Sequence, residues 1–129
     1  MRIISTGIDL VEIARIREVM TRHEGRFVNR IYTPDERRRL ASLKDPAPYL
    51  AGRWAVKEAV LKVLGTGLTR GITWHDVNVT RDAAGAPIVQ LANKAAERAK
   101  ELGIDRILVS ISHGRDLAVA QALGVAETL

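Results

Sequence analysis

Three charged side chains stand out on one helical segment, residues 50–65. At about 100° per residue, the apolar stripe of this helix is formed by Leu50, Trp54, Leu61 and Leu64. Lys57 falls in the middle of the stripe, and Glu58 and Lys62, one turn apart, lie beside it. The other positions on that side are Ala51, Ala55 and Ala59. Small residues next to a carboxylate and an amine leave room for a ligand, so this helix is a candidate site.

Each of these charges also has an ordinary interpretation. Glu58 and Lys62 have the favourable i, i+4 order of a solvated surface pair, which contributes only a few tenths of a kcal/mol. Lys57 could extend its amine to solvent or neutralise a buried acid. The sequence leaves both interpretations open.

A second candidate carboxylate, Asp9, lies near the N-terminus. Asp9-Leu-Val-Glu12 has the D-x-x-E form of a capping box, which predicts a helix from about residue 10 and makes Asp9 a cap more readily than a ligand. The connector 65–71 is glycine-rich but matches no dinucleotide or Walker sequence. Together, however, Asp9, Glu58, Lys62 and a glycine-rich turn have the composition of a Mg²⁺–phosphate site, because Mg²⁺ uses one or two carboxylates plus water and phosphate oxygens. Phosphoryl-type transfer needs mainly such positioning and charge neutralisation.

Further candidates are basic. His113 follows an apolar strand and opens a turn, where it either shapes the turn or faces an anionic ligand. Arg15 and Arg22, seven residues apart, share one side of the first helix, and the arginines at 37–39 form a solvated face. The three histidines are scattered and the chain has no cysteine, which argues against a zinc site.

Length and composition limit the class of protein. The 129 residues suit one domain, 1–129, with a real core. With no cysteine, no signal-peptide pattern and no apolar run of about 18 residues, a cytoplasmic enzyme or binding protein is expected, with no membrane partner. The net charge of +5 predicts an anionic partner: nucleic acid, a phosphorylated small molecule or an acidic protein. Only 4% aromatic residues weakens the nucleic-acid option.

The predicted elements give the order βαααββαββ, an α+β fold with a mostly antiparallel sheet and a long central helix. The segments are a strand at 2–8, a helix from 10 to about Gly25, a short helix at 26–32, a helix capped by Thr33, the helix 50–65 ended by Gly65, a hairpin of 72–81 and 87–91, a helix at 93–102, and a hairpin of 106–112 and 117–125.

The motifs resemble a known family over nearly the whole chain. They are Gly7-Ile8-Asp9, Arg53-Trp54-Ala55-Val56-Lys57-Glu58-Ala59-Val60-Leu61-Lys62, Gly65-Thr66-Gly67 and Ser110-Ile111-Ser112-His113. This combination is similar to the short, single-domain branch of the 4′-phosphopantetheinyl transferases, the holo-acyl-carrier-protein synthases. The resemblance implies transfer of the 4′-phosphopantetheine arm of coenzyme A to a serine of apo acyl carrier protein, with release of adenosine 3′,5′-bisphosphate, in fatty acid biosynthesis. It also implies a Mg²⁺ requirement, and a homotrimer with each active site between two subunits.

The resemblance also assigns residues. Asp9 and Glu58 would hold Mg²⁺, and Asp9, Glu58 and Lys62 would be the catalytic group. Coenzyme A would be bound by Arg53, Lys57, Lys62, Gly65, Thr66 and His113. Arg15 and Arg22 would meet the acidic helix of the carrier protein. Related sequences often carry Asn or Asp where this chain has Ala84, which removes a side-chain contact to the nucleotide end.

Two alternatives compete with this hypothesis. A small basic nucleic-acid-binding module would use the charge of +5 and the arginine-rich start, with affinity falling steeply with salt and no need for Mg²⁺ or coenzyme A. A structural or interaction protein would leave Glu58 and Lys57 unexplained.

Overall fold

The computed structural model describes residues 1–127. Its elements are β1 (Arg2–Glu12), α1 (Ile13–Ile31), α2 (Pro34–Arg38), α3 (Ala47–Leu64), β2 (Val77–Arg81), β3 (Pro87–Leu91), α4 (Asn93–Glu101), β4 (Arg106–His113) and β5 (Leu117–Ala126), with short 3₁₀ turns at Arg39–Ser42 and Trp74–Asp76. The helices and strands follow the order βαααββαββ when the kinked helix α1 is counted once, and the α+β class is confirmed.

The strands form two antiparallel sheets rather than one. One sheet has the order β1-β5-β4, and the other is the hairpin β2-β3. Both predicted hairpins are present. The first hairpin begins at Val77 instead of residue 72, because a 3₁₀ turn occupies Trp74–Asp76.

The first strand is longer than predicted. It pairs with β5 as far as Glu12, which lies opposite Leu117, and α1 begins only at Ile13. Asp9 therefore lies inside a strand, opposite Ala120, and the predicted role as a helix cap is wrong. The pairing partner lies more than 100 residues away, and the local D-x-x-E pattern carries no information about it.

Helix α1 spans Ile13–Ile31 and consists of two helical parts, as predicted, but the break lies two residues before Gly25. The irregular point is His23, whose φ of −143° and ψ of 39° form a kink. Beyond the kink, Phe27, Val28 and Ile31 are buried in the core, and this packing holds the second part of the helix against α3.

The capping box of α2 forms as predicted. The Glu36 backbone N–H donates to Thr33 Oγ1 at 3.3 Å, and the Thr33 N–H donates to Glu36 Oε1 at 2.9 Å. Glu36 is only 1% exposed, unlike a typical capping residue on a surface. Its second carboxylate oxygen accepts a hydrogen bond from the Val79 N–H at 2.7 Å. The capping glutamate thus also ties α2 to β2.

Helix α3 passes through the centre of the core. It begins at Ala47, three residues earlier than predicted, and ends at Gly65, whose left-handed φ of 73° confirms the predicted C-terminal cap. Its buried residues lie on all sides of the helix, so the predicted apolar stripe, which covers one side, underestimated how much of α3 is buried. None of the helices within residues 1–127 is long and apolar enough to cross a membrane.

The alanines of α3 have a packing role. Ala51, Ala55 and Ala59 are fully buried, and α3 packs mainly against β1 and β5. A Cβ added at Gly7 would lie 2.0 Å from the Ala59 carbonyl oxygen, so the backbones of β1 and α3 nearly touch there. The prediction that the alanine side leaves room for a ligand is wrong, because the sheet fills that space.

Candidate active site

Close packing of β1 on α3 brings Asp9 to Lys62. Gly7, Asp9 and Val11 alternate on the side of β1 that faces the helix, and the close approach at Gly7 sets the spacing. Lys62 Nζ lies 3.1 Å from Asp9 Oδ1 and also donates to the Ile8 carbonyl oxygen at 2.8 Å. The Asp9 side chain is 14% exposed and that of Lys62 55% exposed. The pair is thus anchored on the strand, with the lysine open to solvent.

Glu58 joins this pair. Burial raises the pKa of Glu58, and the nearby Asp9 carboxylate raises the pKa further, whereas Lys62 and Arg15 lower it. Two carboxylates therefore repel each other beside one lysine, and α1 contributes Arg15. Such a donor set, with two hard oxygen ligands on separate elements, fits Mg²⁺ that completes its shell with water and phosphate oxygens. Residues 1–127 contain no group of three or more Asp, Glu, His or Cys side chains that could hold a metal alone.

A cavity of about 580 Å³ opens beside the cluster, and we call it the carboxylate cavity. Its lining is Glu58, Leu61, Lys62, Gly65, Gly67, Leu68 and Trp74. Gly65, predicted to bind coenzyme A, thus lies in the lining of this cavity. Thr66 does not line the cavity; its hydroxyl donates to the Gly67 carbonyl oxygen at 3.2 Å.

Arg53 and His113 lie elsewhere, in what we call the arginine cleft. It consists of two adjoining cavities of about 770 and 330 Å³. Both are lined by Arg39, Tyr49, Arg53, Arg81 and Gly85, and the smaller one also by His113. Ala84 lines the larger one, where its backbone N–H donates to Asp82 Oδ1 at 2.9 Å, so this position offers only its methyl group.

The two sites lie on opposite sides of α3. Arg53 and Lys62 are nine residues apart, which corresponds to about 14 Å along the helix and about 180° around it. The carboxylate cavity and the arginine cleft share no lining residue. Within one subunit the structure therefore divides the predicted coenzyme A residues into two separate groups.

Lys57 does not fit its predicted contact with coenzyme A. It is fully buried, and its Nζ lies 2.9 Å from Glu36 Oε1 and donates to the carbonyl oxygens of Trp74 and Val77. Burial lowers the pKa of Lys57, and the Glu36 carboxylate opposes that shift. The alternative that Lys57 neutralises a buried acid is the one the structure supports.

Arg15 and Arg22 lie exposed on α1, before the kink. Arg22 pairs with Glu18 at 3.4 Å, an exposed pair that contributes little to stability. Arg15 lies close enough to lower the pKa of Glu58, so this face of α1 borders the carboxylate cluster.

Sequence reasoning missed several lining residues. The sequence places Arg39 on a solvated face and Arg81 at the end of a hairpin strand, and only the fold brings the two arginines together. Tyr49 precedes Arg53 by four residues, a spacing that places both on one side of a helix and could have revealed the pair. Leu68, in the connector, and Trp74, in the segment predicted as a strand, line the carboxylate cavity and carried no local signal.

Comparison with known proteins shows the family of this chain. The family model for the 4′-phosphopantetheinyl transferase superfamily matches residues 5–122. The chain is 46% identical over 118 residues to the holo-[acyl-carrier-protein] synthase of Maridesulfovibrio salexigens, covering 92% of this chain and 94% of that protein.

Solved structures show the same likeness. The holo-[acyl-carrier-protein] synthase of Neisseria meningitidis superimposes with a TM-score of 0.88 at 30% identity, covering 96% of this chain and 99% of that one. The Helicobacter pylori enzyme in complex with coenzyme A gives a TM-score of 0.80 at 30% identity, covering 93% and 99%. The family match over most of the chain, together with the Asp9–Lys62–Glu58 cluster that the fold assembles, shows that this chain belongs to the 4′-phosphopantetheinyl transferase superfamily and is a transferase of the holo-[acyl-carrier-protein] synthase group.

Proposed function

We propose that this transferase moves the 4′-phosphopantetheine group of coenzyme A to a serine of apo acyl carrier protein, releases adenosine 3′,5′-bisphosphate and requires Mg²⁺. The observation that carries the proposal is the cluster of Asp9, Glu58 and Lys62 beside the carboxylate cavity. The names of the relatives and the coenzyme A complex of the Helicobacter pylori enzyme support the same reaction.

Asp9 and Glu58 would hold Mg²⁺, which would neutralise charge on the pyrophosphate of coenzyme A. Repulsion between the two carboxylates contributes to the raised pKa of Glu58, and a divalent cation between them would relieve it. Lys62 keeps its amine close to both the Asp9 carboxylate and solvent, so it can also contact a phosphate oxygen.

In the proposed reaction, the serine oxygen forms a bond to the β-phosphorus, and the bond from that phosphorus to the bridging oxygen breaks. The bridging oxygen leaves with adenosine 3′,5′-bisphosphate, and Lys62 stabilises its charge. A carboxylate or a water molecule takes the serine proton. We propose Glu58 for this role, because its carboxylate lines the cavity beside Lys62.

The division of the site supports an active site between subunits. One coenzyme A molecule needs Lys62 and the carboxylates at its pyrophosphate, and Arg53 and His113 at its nucleotide phosphates. In a single chain the core helix α3 separates these groups. A second copy that places its arginine cleft against the carboxylate cavity of the first would complete the site.

The outer face of the β1-β5-β4 sheet supports a homotrimer. Ile8 and Leu10 on β1 are 61% and 58% exposed, and Leu117 on β5 is 41% exposed. The alternation of β1 places Ile8 and Leu10 on the side turned away from α3. Large apolar side chains exposed together on one sheet face are typical of a protein interface. Leu10→Glu should therefore dissociate the assembly, with the mass in solution measured by analytical ultracentrifugation.

The transfer itself is tested by intact-mass analysis. Apo acyl carrier protein is incubated with this chain, coenzyme A and Mg²⁺, with parallel samples that lack Mg²⁺ or contain Glu58→Gln. We expect the phosphopantetheine mass gain only with the wild-type chain and Mg²⁺. No gain in the complete mixture would contradict the proposal, and steeply salt-dependent nucleic-acid binding would then favour the basic binding module.

Mixed assemblies test whether the site is shared. Glu58→Gln and Arg53→Gln chains, each with about a tenth or less of the wild-type activity at low coenzyme A, are mixed under dissociating conditions and reassembled. If sites form between subunits, random mixing restores about a quarter of the wild-type sites, because some interfaces combine the two intact halves. If each chain builds its own site, the activity stays at the average of the two variants, and the shared-site proposal is wrong.

We propose that the acyl carrier protein docks on the face of α1 that carries Arg15 and Arg22. Arg15→Glu should raise the KM for acyl carrier protein about tenfold, as expected for the loss of a steering charge, with little change in the KM for coenzyme A. An unchanged KM for the carrier would remove Arg15 from the docking face.

The proposed function includes two further predictions, on domain organisation and on cellular location. One connected hydrophobic core within the described residues supports a single domain over 1–129. The cytoplasmic location expected from the sequence is tested by cell fractionation.

A further inference from the structure

Tyr49 lies one helical turn before Arg53 on α3 and contacts it directly. The Arg53 Cζ lies 4.7 Å from the centre of the Tyr49 ring, which is the geometry of a cation–π contact. The ring covers one face of the guanidinium. The N–H groups of a guanidinium lie in its plane, so a stacked arginine can still donate several hydrogen bonds from its edge.

The ring is fixed from its other end. The Tyr49 hydroxyl donates to the Glu36 backbone carbonyl oxygen at 2.8 Å. Glu36 is held by the capping box of α2 and by the buried ion pair with Lys57. Tyr49 therefore connects Arg53 to one of the most constrained points of the core.

Within residues 1–127, Arg53 forms no ion pair with a carboxylate. Burial lowers its pKa, and the neighbouring Arg81 lowers it further. The acids that line the cleft are engaged elsewhere: Asp45 with Arg17 at 2.7 Å, Asp35 with Arg38 at 3.0 Å, and Asp82 with the backbone N–H groups of Ala84 and Ala86. The Arg53 Nε is buried and lacks a hydrogen-bond partner within the part of the chain that the structure describes.

This environment would leave an arginine poorly oriented without the tyrosine. Arg81 repels Arg53, and no ion pair within residues 1–127 opposes that repulsion. The stacked ring is therefore the contact that holds the Arg53 guanidinium in a fixed plane inside a cleft with excess positive charge.

We propose that Tyr49 is a positioning residue that holds Arg53 in the orientation that binds a phosphate group of coenzyme A. The inference rests on the proposed function, which places Arg53 in the coenzyme A site. Tyr49 acts through Arg53 and does not itself touch the ligand. Its contribution is preorganisation, since a guanidinium already held in place loses less freedom when the phosphate binds.

A double-mutant cycle tests this role. Tyr49→Leu, Arg53→Gln and the double variant are compared with the wild type for the KM of coenzyme A, kcat and direct coenzyme A binding by calorimetry without carrier protein. Tyr49→Leu should raise the KM and the Kd for coenzyme A about tenfold, in the range of a partly buried cation–π contact, with kcat changed less than twofold. In the Arg53→Gln background, Tyr49→Leu should have no further effect.

Two further variants complete the cycle. Tyr49→Phe keeps the ring and loses the hydroxyl anchor, so its KM should lie between those of the wild type and Tyr49→Leu. Tyr49→Met has about the volume of leucine in a longer, more flexible side chain without an aromatic face, and replaces Tyr49→Leu if the leucine variant does not fold. Thermal melts establish that each variant is folded before KM is compared.

Failure of the inference and failure of the proposed function give different results. If Arg53→Gln raises the KM and Tyr49→Leu does not, Tyr49 has no positioning role and the proposed function stands. If Tyr49→Leu raises the KM equally in both backgrounds, it does not act through Arg53 and the inference is wrong. If Arg53→Gln leaves both KM and Kd unchanged, the assignment of Arg53 to coenzyme A fails, and the inference fails with it.

Discussion

The carboxylate cavity and the arginine cleft are built on the same helix by different means. In the carboxylate cavity, opposite charges meet: Lys62 lies against Asp9, and Glu58 lies next to both. In the arginine cleft, like charges lie near each other: Arg53 and Arg81 line the same cavities and repel each other, and the nearby acids are engaged by other groups. The first region can hold a cation between carboxylates, and the second needs an anion.

The difference shows how one ligand could require both regions. Under the proposed function, the first region would bind the pyrophosphate of coenzyme A through a cation, and the second would bind the further phosphate on the ribose directly. The charged positions of α3 that face these two regions lie on opposite sides of the helix. Lys57 lies between the two regions. Its amine pairs with Glu36 near the arginine cleft and donates to the carbonyl oxygen of Trp74, which lines the carboxylate cavity.

The largest expected effect comes from removing this shared support. Lys57→Met leaves the Glu36 carboxylate buried without its partner, and should lower the free energy of unfolding by about 3–5 kcal/mol. Urea unfolding measures the loss. The KM for coenzyme A should rise and kcat should fall, because Lys57 supports Glu36 next to the arginine cleft and Trp74 in the carboxylate cavity.

The control for that loss is the double variant Lys57→Met with Glu36→Gln, which removes the stranded charge and should recover part of the stability. A Lys57→Met chain as stable as the wild type would mean that the pair does not support the two regions.

The next largest effect separates the two regions kinetically. Glu58→Gln should lower kcat by about a hundredfold or more, since it removes a charge that acts on the reacting phosphate. Arg53→Gln should instead raise the KM for coenzyme A about tenfold, because it removes ground-state binding. Steady-state kinetics with coenzyme A and apo carrier protein measure both, with exposed Glu97→Gln on α4 as a matched control. If both variants changed the same parameter, the distinction between the regions would be lost.

A smaller effect tests the contact that assembles the carboxylate cavity. Gly7→Ala places a methyl group against the Ala59 carbonyl, and should destabilise the protein by about 1–3 kcal/mol while separating Asp9 from Lys62. Differential scanning calorimetry measures the change in Tm. Gly25→Ala is the control: it meets no atom within 4 Å and lies in a helix, so it should stabilise by about 0.5–1 kcal/mol. Equal Tm shifts for the two variants would contradict the close approach.

The smallest effect is a pH dependence confined to the carboxylate cavity. Because burial and Asp9 raise the folded-state pKa of Glu58, its carboxylate form is disfavoured by folding. Without metal, the wild type should gain stability relative to Glu58→Gln as the pH falls through this raised pKa towards the ordinary glutamate value. Mg²⁺ favours the carboxylate and should reverse the trend. Melting curves of both chains between pH 4 and 8, with and without Mg²⁺, measure the difference, and parallel curves would contradict it.

Several local features could be read from the sequence because nearby residues determine them. The Thr33 capping box, the Gly65 cap and the tight hairpins depend on interactions over a few residues, and all of them form. The Asp9 cap failed because β5 supplies the competing hydrogen bonds from the other end of the chain. The break in α1 was predicted at Gly25 and lies at His23, since a glycine weakens a helix locally without fixing which residue is kinked.

The sequence by itself determined which side chains carry charge on α3 and, through helical spacing, that Arg53 and Lys62 face opposite ways. Only the tertiary structure decided their partners. Lys57 meets Glu36 from α2, Lys62 meets Asp9 from β1, and Arg53 meets Arg81 from the hairpin, with Tyr49 alone a local neighbour. The physical reason is that electrostatic and packing contacts depend on distance in space, and chain spacing fixes distance only within a helix or a turn.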